Sequence, residues 1–432
     1  MIYEAVNDKL ITGRGLSLLA LMAAGGVAFL ARFALGLGGS TNLSDTYPWG
    51  LWIVFDLVWI ALAAGAFATA GIVYIFMADE VHGLARPAVW LGFLSYNFVV
   101  VTLLADLGLP WHFWQLAIQR PEHSAMFEVS WCVTLYVTVL GLEFAPTIFG
   151  WLGWQWLRDL WRRWAPVYTV LALAFFTYIM SHQIAMALIA LAVFGLVAWT
   201  FRTPSHEGNP PVILVIAAVT FSAMHQSSLG SLFLLMPDKL SPLWWSPIMP
   251  VSFFLSSVAS GIAFIMFMDL MISRYFHRPV QVKMLGYFGK WMWGALAIYM
   301  VVRIGDIMYR GKLGMALAGP GSPLFILEVG LGGLVPLALF SSRGIRESRA
   351  GLWAGCLLTL GGTVLNRLNV VLLGMTLRGT APYIAPAPYF PSVVEILLSV
   401  SLIAACIFFF SVGAKILPIL PKLEAERDSL RS

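Results

Sequence analysis

The feature that most constrains this chain is a series of long uncharged segments recurring from residue 15 to residue 418. About 20 apolar residues cross the hydrocarbon core of a bilayer. Segments of that kind occupy 15–38, 51–77, 88–108, 126–150, 211–236, 250–273, 288–310, 322–341, 351–376 and 391–417. Because lipid offers no partner to backbone N–H and C=O groups, runs of this length must satisfy them internally, as helices. Only 11% of the 432 residues are charged, against roughly 25% in a soluble domain. That is too little polar surface for a soluble particle. The expectation is an all-α polytopic membrane protein of about ten transmembrane helices in bundles. It is read as a single integral membrane domain over 1–432, with a core bundle from 15–150 and 211–310 and C-terminal helices over 322–417.

The run 167–201 does not fit one crossing. As a single helix it would extend about 50 Å at 1.5 Å per residue, well beyond a bilayer core. We therefore expect an extra hairpin or re-entrant segment, broken near Ser181-His182-Gln183, with 211–236 making the net crossing. The positive-inside rule supports this. With the N-terminus inside, Lys9, Arg14, Arg86, Arg158, Arg162, Arg163, Arg343, Arg346 and Arg349 share one side, and Arg274, Arg278, Lys283 and Lys290 join them. Arg120, Lys239, Arg310, Lys312 and Arg378 fall outside. Both termini are thus expected in the cytoplasm, the bilayer being a bacterial or archaeal cytoplasmic (inner) membrane. The first apolar run carries Arg32 and no clean small-residue cleavage site, so it reads as a span and not a cleaved signal.

The net charge of +5 describes this orientation. No basic cluster is interleaved with a soluble fold, which excludes nucleic acid as a partner. Cys132, Cys356 and Cys406 lie in separate apolar runs without a CxxC pair, so no iron-sulfur cluster is expected in this chain.

A charge at the bilayer centre costs about 2.5–3.5 kcal/mol on the insertion scale, so each one asks for a reason. Arg32, Asp56, Asp106, Glu128, His225, Arg303, Asp306, Glu328, Arg367 and Glu395 fall in the outer half of their helices; Glu143, His182 and Asp269 fall in the inner half. Arg303 and Asp306 are spaced i,i+3 and are expected to pair; Arg367 and Glu395 are expected to pair across successive helices. These four read as structural ion pairs. Asp56, Glu128 and His225 have no local partner and read as pocket-lining. Glu128 and Glu143 lie about 22 Å apart on one helix, and with Asp269 they make a candidate proton path.

Six stretches stand apart from generic membrane helix: PWGLWIVFD at 48–56, FEVSWCVTLYVTVLGLEFAP at 127–146, MHQSSLGS at 224–231 with PLW at 242–244, RIGDIMYRGKLGMALAG at 303–319, YFPSVVE at 389–395 and ILPILP at 416–421. In this order they resemble the HybB-like branch of the NrfD/PsrC superfamily. The branch includes the membrane subunit of periplasm-facing nickel-iron hydrogenases and the similar DsrP subunit of sulfite-reduction-associated complexes. The resemblance implies a quinone-reactive membrane subunit of a respiratory redox complex, with menaquinone or ubiquinone as the quinone. Such a subunit exchanges electrons between the quinone pool and a periplasmic ferredoxin-like iron-sulfur subunit, alongside further redox subunits. The extra length around 167–210 departs from the hydrogenase pattern.

The residues suit that role. Quinol oxidation releases two protons with two electrons, so its site needs partners for both ring oxygens and a titratable acceptor. His225, Gln226, Ser227 and Ser228 offer donors and acceptors in consecutive positions, with Asp56, Glu128 or Asp106 as the acid. Of the seven histidines only His182 and His225 fall within spans, which disfavours a bis-His haem anchor. A secondary transporter is the alternative that the broken segment and buried charges suggest.

Overall fold

A computed structural model describes residues 3–6, 8–45, 47–118, 124–201, 210–377 and 389–422. Arg120, Arg202 and Arg378 lie outside the described residues. The protein is a multi-pass, all-α membrane protein. Eleven helices among the described residues are long and apolar enough to span a bilayer, and a twelfth, shorter helix is equally apolar. In chain order they are α1 (Gly13–Ser40), α2 (Leu51–Ile75), α3 (Asp79–Asp106), α4 (Ala125–Leu152), α5 (Gln155–Ser181), α6 (Ile184–Thr200), α7 (Val212–Leu234), α8 (Met249–Tyr275), α9 (Val282–Tyr309), α10 (Ser322–Ser341), α11 (Arg349–Thr376) and α12 (Val393–Ile416).

Helices α2, α3, α4 and α7 form one bundle, and α8, α9, α10 and α11 form a second. The bundles meet along α2 and α8, where Gly65 and Gly261 face each other. A Cβ on either glycine would collide with the opposite backbone. Small residues at such a crossing let helices approach closely enough for van der Waals packing, which lipid does not oppose. Outside the bundles, α1 pairs with α12 against α3, and α5 and α6 pack as a hairpin beside α4.

The hairpin breaks where the sequence indicates. His182 caps α5 with φ +53, and the Ser181 hydroxyl accepts from Gln183 N at 3.2 Å. Because α5 starts at Gln155, well before residue 167, it runs 27 residues before the break, about 40 Å of helix. The break is therefore the hairpin's tip. Transporter helices break near the bilayer midplane, so this feature does not carry the transporter reading. It also corrects the inner-half placement of His182, which lies at the same end as Glu128, close enough to interact with it electrostatically. Pro146 ties the hairpin down. Lacking an N–H, it leaves the carbonyl of Leu142 unbonded within α4, and the Trp161 indole donates to that oxygen at 2.7 Å.

The first and last described segments meet at one face. A two-residue antiparallel pairing joins β1 (Tyr3–Glu4) to β2 (Leu420–Pro421). Arg278 pairs with Glu4 at 3.1 Å, Lys415 with Asp8 at 3.4 Å, and Arg86 donates to Pro418 O at 3.2 Å. The Lys9 amide and Lys415 hold the Asp8 carboxyl below the usual carboxylate range. The opposite, distal end carries the α2, α4, α8, α10 and α12 N-termini.

Candidate functional site

The first bundle holds a column of polar groups that descends from the distal end. Asp106 ends α3, and Asp56 lies five residues into α2, about 8 Å deeper. Arg32 reaches over from α1 and donates to Ala105 O at 2.5 Å and Leu107 O at 2.6 Å. These are carbonyls that a helix C-terminus leaves without intrahelical partners. Its charge sits within reach of Asp106. Neither Asp56 oxygen has a hydrogen-bond partner, and Oδ1 of Asp106 has none. The nearby Thr102 hydroxyl donates to Phe98 O at 2.9 Å.

About 15 Å below the distal end, His225 of α7 is fully buried, and neither ring nitrogen has a partner. Its ring lies 5.8 Å from Tyr96 of α3, which packs edge-on against Tyr136 of α4 at 4.5 Å. The Tyr96 and Tyr136 hydroxyls both face Ser222 Oγ, one turn before His225, and none of the three makes a well-formed hydrogen bond with the protein. Two helical turns below Tyr136, about 10 Å, Oε1 of Glu143 is also unpaired. A buried polar atom left unmet costs about 1–3 kcal/mol. A column of them therefore calls for water or a ligand oxygen, and the donor set fits a molecule with carbonyl or hydroxyl oxygens.

The structure separates residues that sequence spacing groups together. Gln226 is 100° around the helix from His225 and faces α2 and α8. Its Nε2 donates to Ile60 O at 2.6 Å, and its Oε1 accepts from Ser257 at 2.7 Å. Consecutive helix positions point to different neighbours, so Gln226 does not converge with His225 on one ligand, whereas Ser228, three residues on, shares the His225 side of the helix. Ser228 faces the Cys132 thiol. Glu128, half-buried, faces the hairpin tip. Asp269 lies at the termini end near Arg278. The column thus unites Asp56, Asp106, His225 and Glu143. It leaves aside Gln226, Glu128 and Asp269, has Ser228 at its edge beside Cys132, and adds Tyr96, Tyr136 and Ser222.

The second bundle's distal carboxylates are met by protein, although Nε of Arg303 and Nε of Arg367 have no partner among the described residues. Glu328 accepts from Trp244 Nε1 at 3.0 Å, Asn366 at 2.7 Å and Asn369 at 2.8 Å, and it pairs with Arg303 at 3.4 Å. Glu328 and Asn369 sit on wide π-type turns, Leu327–Leu334 and Asn369–Leu373, which re-aim side chains within a helix. Asp306 pairs with Arg310 at 2.7 Å and accepts from Ser246 at 2.7 Å. The expected Arg303–Asp306 pair is therefore replaced: Arg303 turns across to α10, and Asp306 takes the arginine one turn on. Nor does Arg367 meet Glu395. Arg367 donates to Asn366 at 2.6 Å and Ser256 at 3.0 Å, over the Phe253 ring. Glu395 closes the N-terminus of α12 in a capping box with Ser392, and it accepts from Asn42 N at 3.2 Å and from Tyr389. Burial, then this bond to Glu395, raises the Tyr389 phenol above the usual tyrosine range. Cys132, Cys356 and Cys406 are buried free thiols on three different helices.

A family model described as polysulphide reductase, NrfD, matches residues 39–378. A Nitratidesulfovibrio vulgaris protein is 31% identical, the match covering 97% of each chain. A probable Ni/Fe-hydrogenase 2 b-type cytochrome subunit of Escherichia coli is 28% identical over 91% of this chain and 88% of its own length. The integral membrane subunit of a menaquinone reductase from N. vulgaris is 26% identical over 90% and 87%.

Proposed function

Since the chain belongs to the NrfD, polysulphide reductase family, we propose that it is the quinone-reactive membrane subunit of a redox complex, with its site at the distal end of the first bundle. The observation that carries this reading is the orphaned column itself: Asp56, Asp106, His225, Tyr96, Tyr136 and Ser222 present buried polar atoms that the protein leaves unpaired. The menaquinone reductase relative makes menaquinone the first quinone to test.

Oxidation of a quinol gives the quinone, two electrons and two protons. Asp56 accepts one proton near the distal end, and a second acceptor, His225, lies deeper in the same column. Arg32 keeps positive charge beside Asp106. The electrons leave to an iron-sulfur partner docked on the distal face. By the positive-inside rule that face is periplasmic and the paired termini are cytoplasmic. Glu143, Tyr136 and Tyr96 form the lower part of a proton route, which replaces the Glu128–Asp269 part of the route read from sequence.

The test is quinol-dependent reduction of an acceptor by the purified complex. Asp56→Asn and His225→Ala should each abolish quinone-linked turnover while the complex assembles with wild-type stoichiometry. Full turnover in either variant would remove that residue from the site.

A further inference from the structure

A large opening lies at the termini end, opposite the site described above. It is a cavity of about 800 Å³ between α3, α4, α5 and α7. Its mouth carries four arginines: Arg86 at the start of α3, and Arg158, Arg162 and Arg163 in the opening turns of α5. None of the four pairs with a carboxylate among the described residues. Arg86 and Arg158 are close enough for their charges to repel. The cavity's acid, Glu143, lies about 13 Å deeper along α4 than its C-terminal end. The mouth is therefore a concentrated positive site, and the walls below it are apolar, formed by Phe144, Trp161, Ala198 and Ile213.

The depth of this mouth in the bilayer is marked by its surroundings. Trp151, Trp154, Trp156 and Trp164 are exposed around it, and exposed tryptophans gather at the level of lipid headgroups. Arginines without a carboxylate partner, clustered beside an apolar cavity at that level, present the two halves of one chemistry. Guanidinium groups bind phosphate through parallel hydrogen bonds, and the apolar walls accept hydrocarbon. Basic pockets between helices on the cytoplasmic side are suited to anionic headgroups.

We propose that this cavity is a binding site for an anionic phospholipid. The phosphate sits among Arg86, Arg158, Arg162 and Arg163, and an acyl chain runs along Trp161 and Ile213. The bound lipid would supply a counter-charge that the described residues do not provide and would fill the space between the hairpin and the first bundle. The arginines of this site and its end of the molecule differ from those of the quinone site; Glu143 lines the cavity and also belongs to the proposed proton route, and the arginine variants that test the lipid site leave it unchanged.

The test is native mass spectrometry of the full chain in detergent, delipidated and titrated with phosphatidylglycerol, with phosphatidylcholine or with inorganic phosphate. Phosphatidylglycerol should be retained at least ten times better than phosphatidylcholine. The double variant Arg158→Gln, Arg162→Gln should lose that preference, whereas Arg343→Gln, Arg349→Gln at the same end of the molecule should keep it. The first pair should also keep the melting temperature of the delipidated wild type, since neither arginine has an acidic partner to lose. Equal retention of the two lipids would overturn the proposal, as would an unchanged preference in the Arg158/Arg162 variant. So would a fall in its lipid-free melting temperature, which would show the arginines holding the fold. If inorganic phosphate binds at the same concentration as phosphatidylglycerol and displaces it, the site takes a free anion and the lipid assignment fails.

Discussion

The two bundles treat the carboxylates near their distal ends in opposite ways. In the second, Glu328 is met by a tryptophan, two asparagines and an arginine, and Asp306 by Arg310 and Ser246. In the first, Asp56, His225, Tyr96, Tyr136 and Ser222 stand without protein partners at comparable burial. A fully satisfied polar network rigidifies a core, whereas a partly satisfied one costs stability unless something else completes it. The comparison therefore separates charges that hold the fold from charges kept for chemistry, which residue type alone does not do.

That contrast is open to attack by substitution. The largest effect is expected at Asp56: Asn keeps the shape and removes the proton acceptor, so quinone-linked turnover should fall by roughly 10²–10⁴, the usual worth of general acid-base catalysis. Assembly should be unchanged, as gel filtration of the complex would show. Glu328→Ala should do the reverse. It strands Arg303 and two asparagine amides in the core, and breaking a buried pair costs about 3–5 kcal/mol. The expected outcome is a large loss of folded protein, with near-normal turnover in what remains.

Intermediate effects should sharpen the picture. Asn369→Ala removes one donor to Glu328 and should cost about 1–3 kcal/mol, read as a lower melting temperature. Glu143→Gln should leave electron transfer to an artificial acceptor intact while altering its pH response or the generation of membrane potential in vesicles. An unchanged response would return Glu143 to a structural role. Ser222→Ala deletes a hydroxyl that faces the Tyr96 and Tyr136 hydroxyls without a well-formed bond to either, so its effect on stability should stay within about 0.5 kcal/mol. A loss comparable to that of Asn369→Ala would break the contrast between the bundles.

The span architecture was readable because hydropathy is local: each apolar run reports its own helix. The hairpin break was equally readable, since Ser181-His182-Gln183 interrupts a run too long to cross once. Partner choice was not readable. Arg303 and Asp306 have the spacing of a pair, yet α10 brings Glu328 to Arg303, and the wide π-type turns that place Glu328 and Asn369 leave no local sequence signal. His225 was singled out as a lone intramembrane imidazole. Tyr96 and Tyr136 were missed because a tyrosine in an apolar run looks like core until its hydroxyl is seen to lack a partner. Gln226 was wrongly grouped with His225 because adjacency in sequence hides a 100° turn.

The account rests on the first bundle, not the second, receiving the quinone. The most direct measurement is photo-crosslinking of the purified complex with an azido-quinone, followed by mapping of the labelled peptides. Label should fall on residues 51–60, 96–106 and 221–228, and excess unlabelled menaquinone should suppress it. Label concentrated around Trp244, Glu328 and Arg367 would place the quinone in the second bundle and contradict the account.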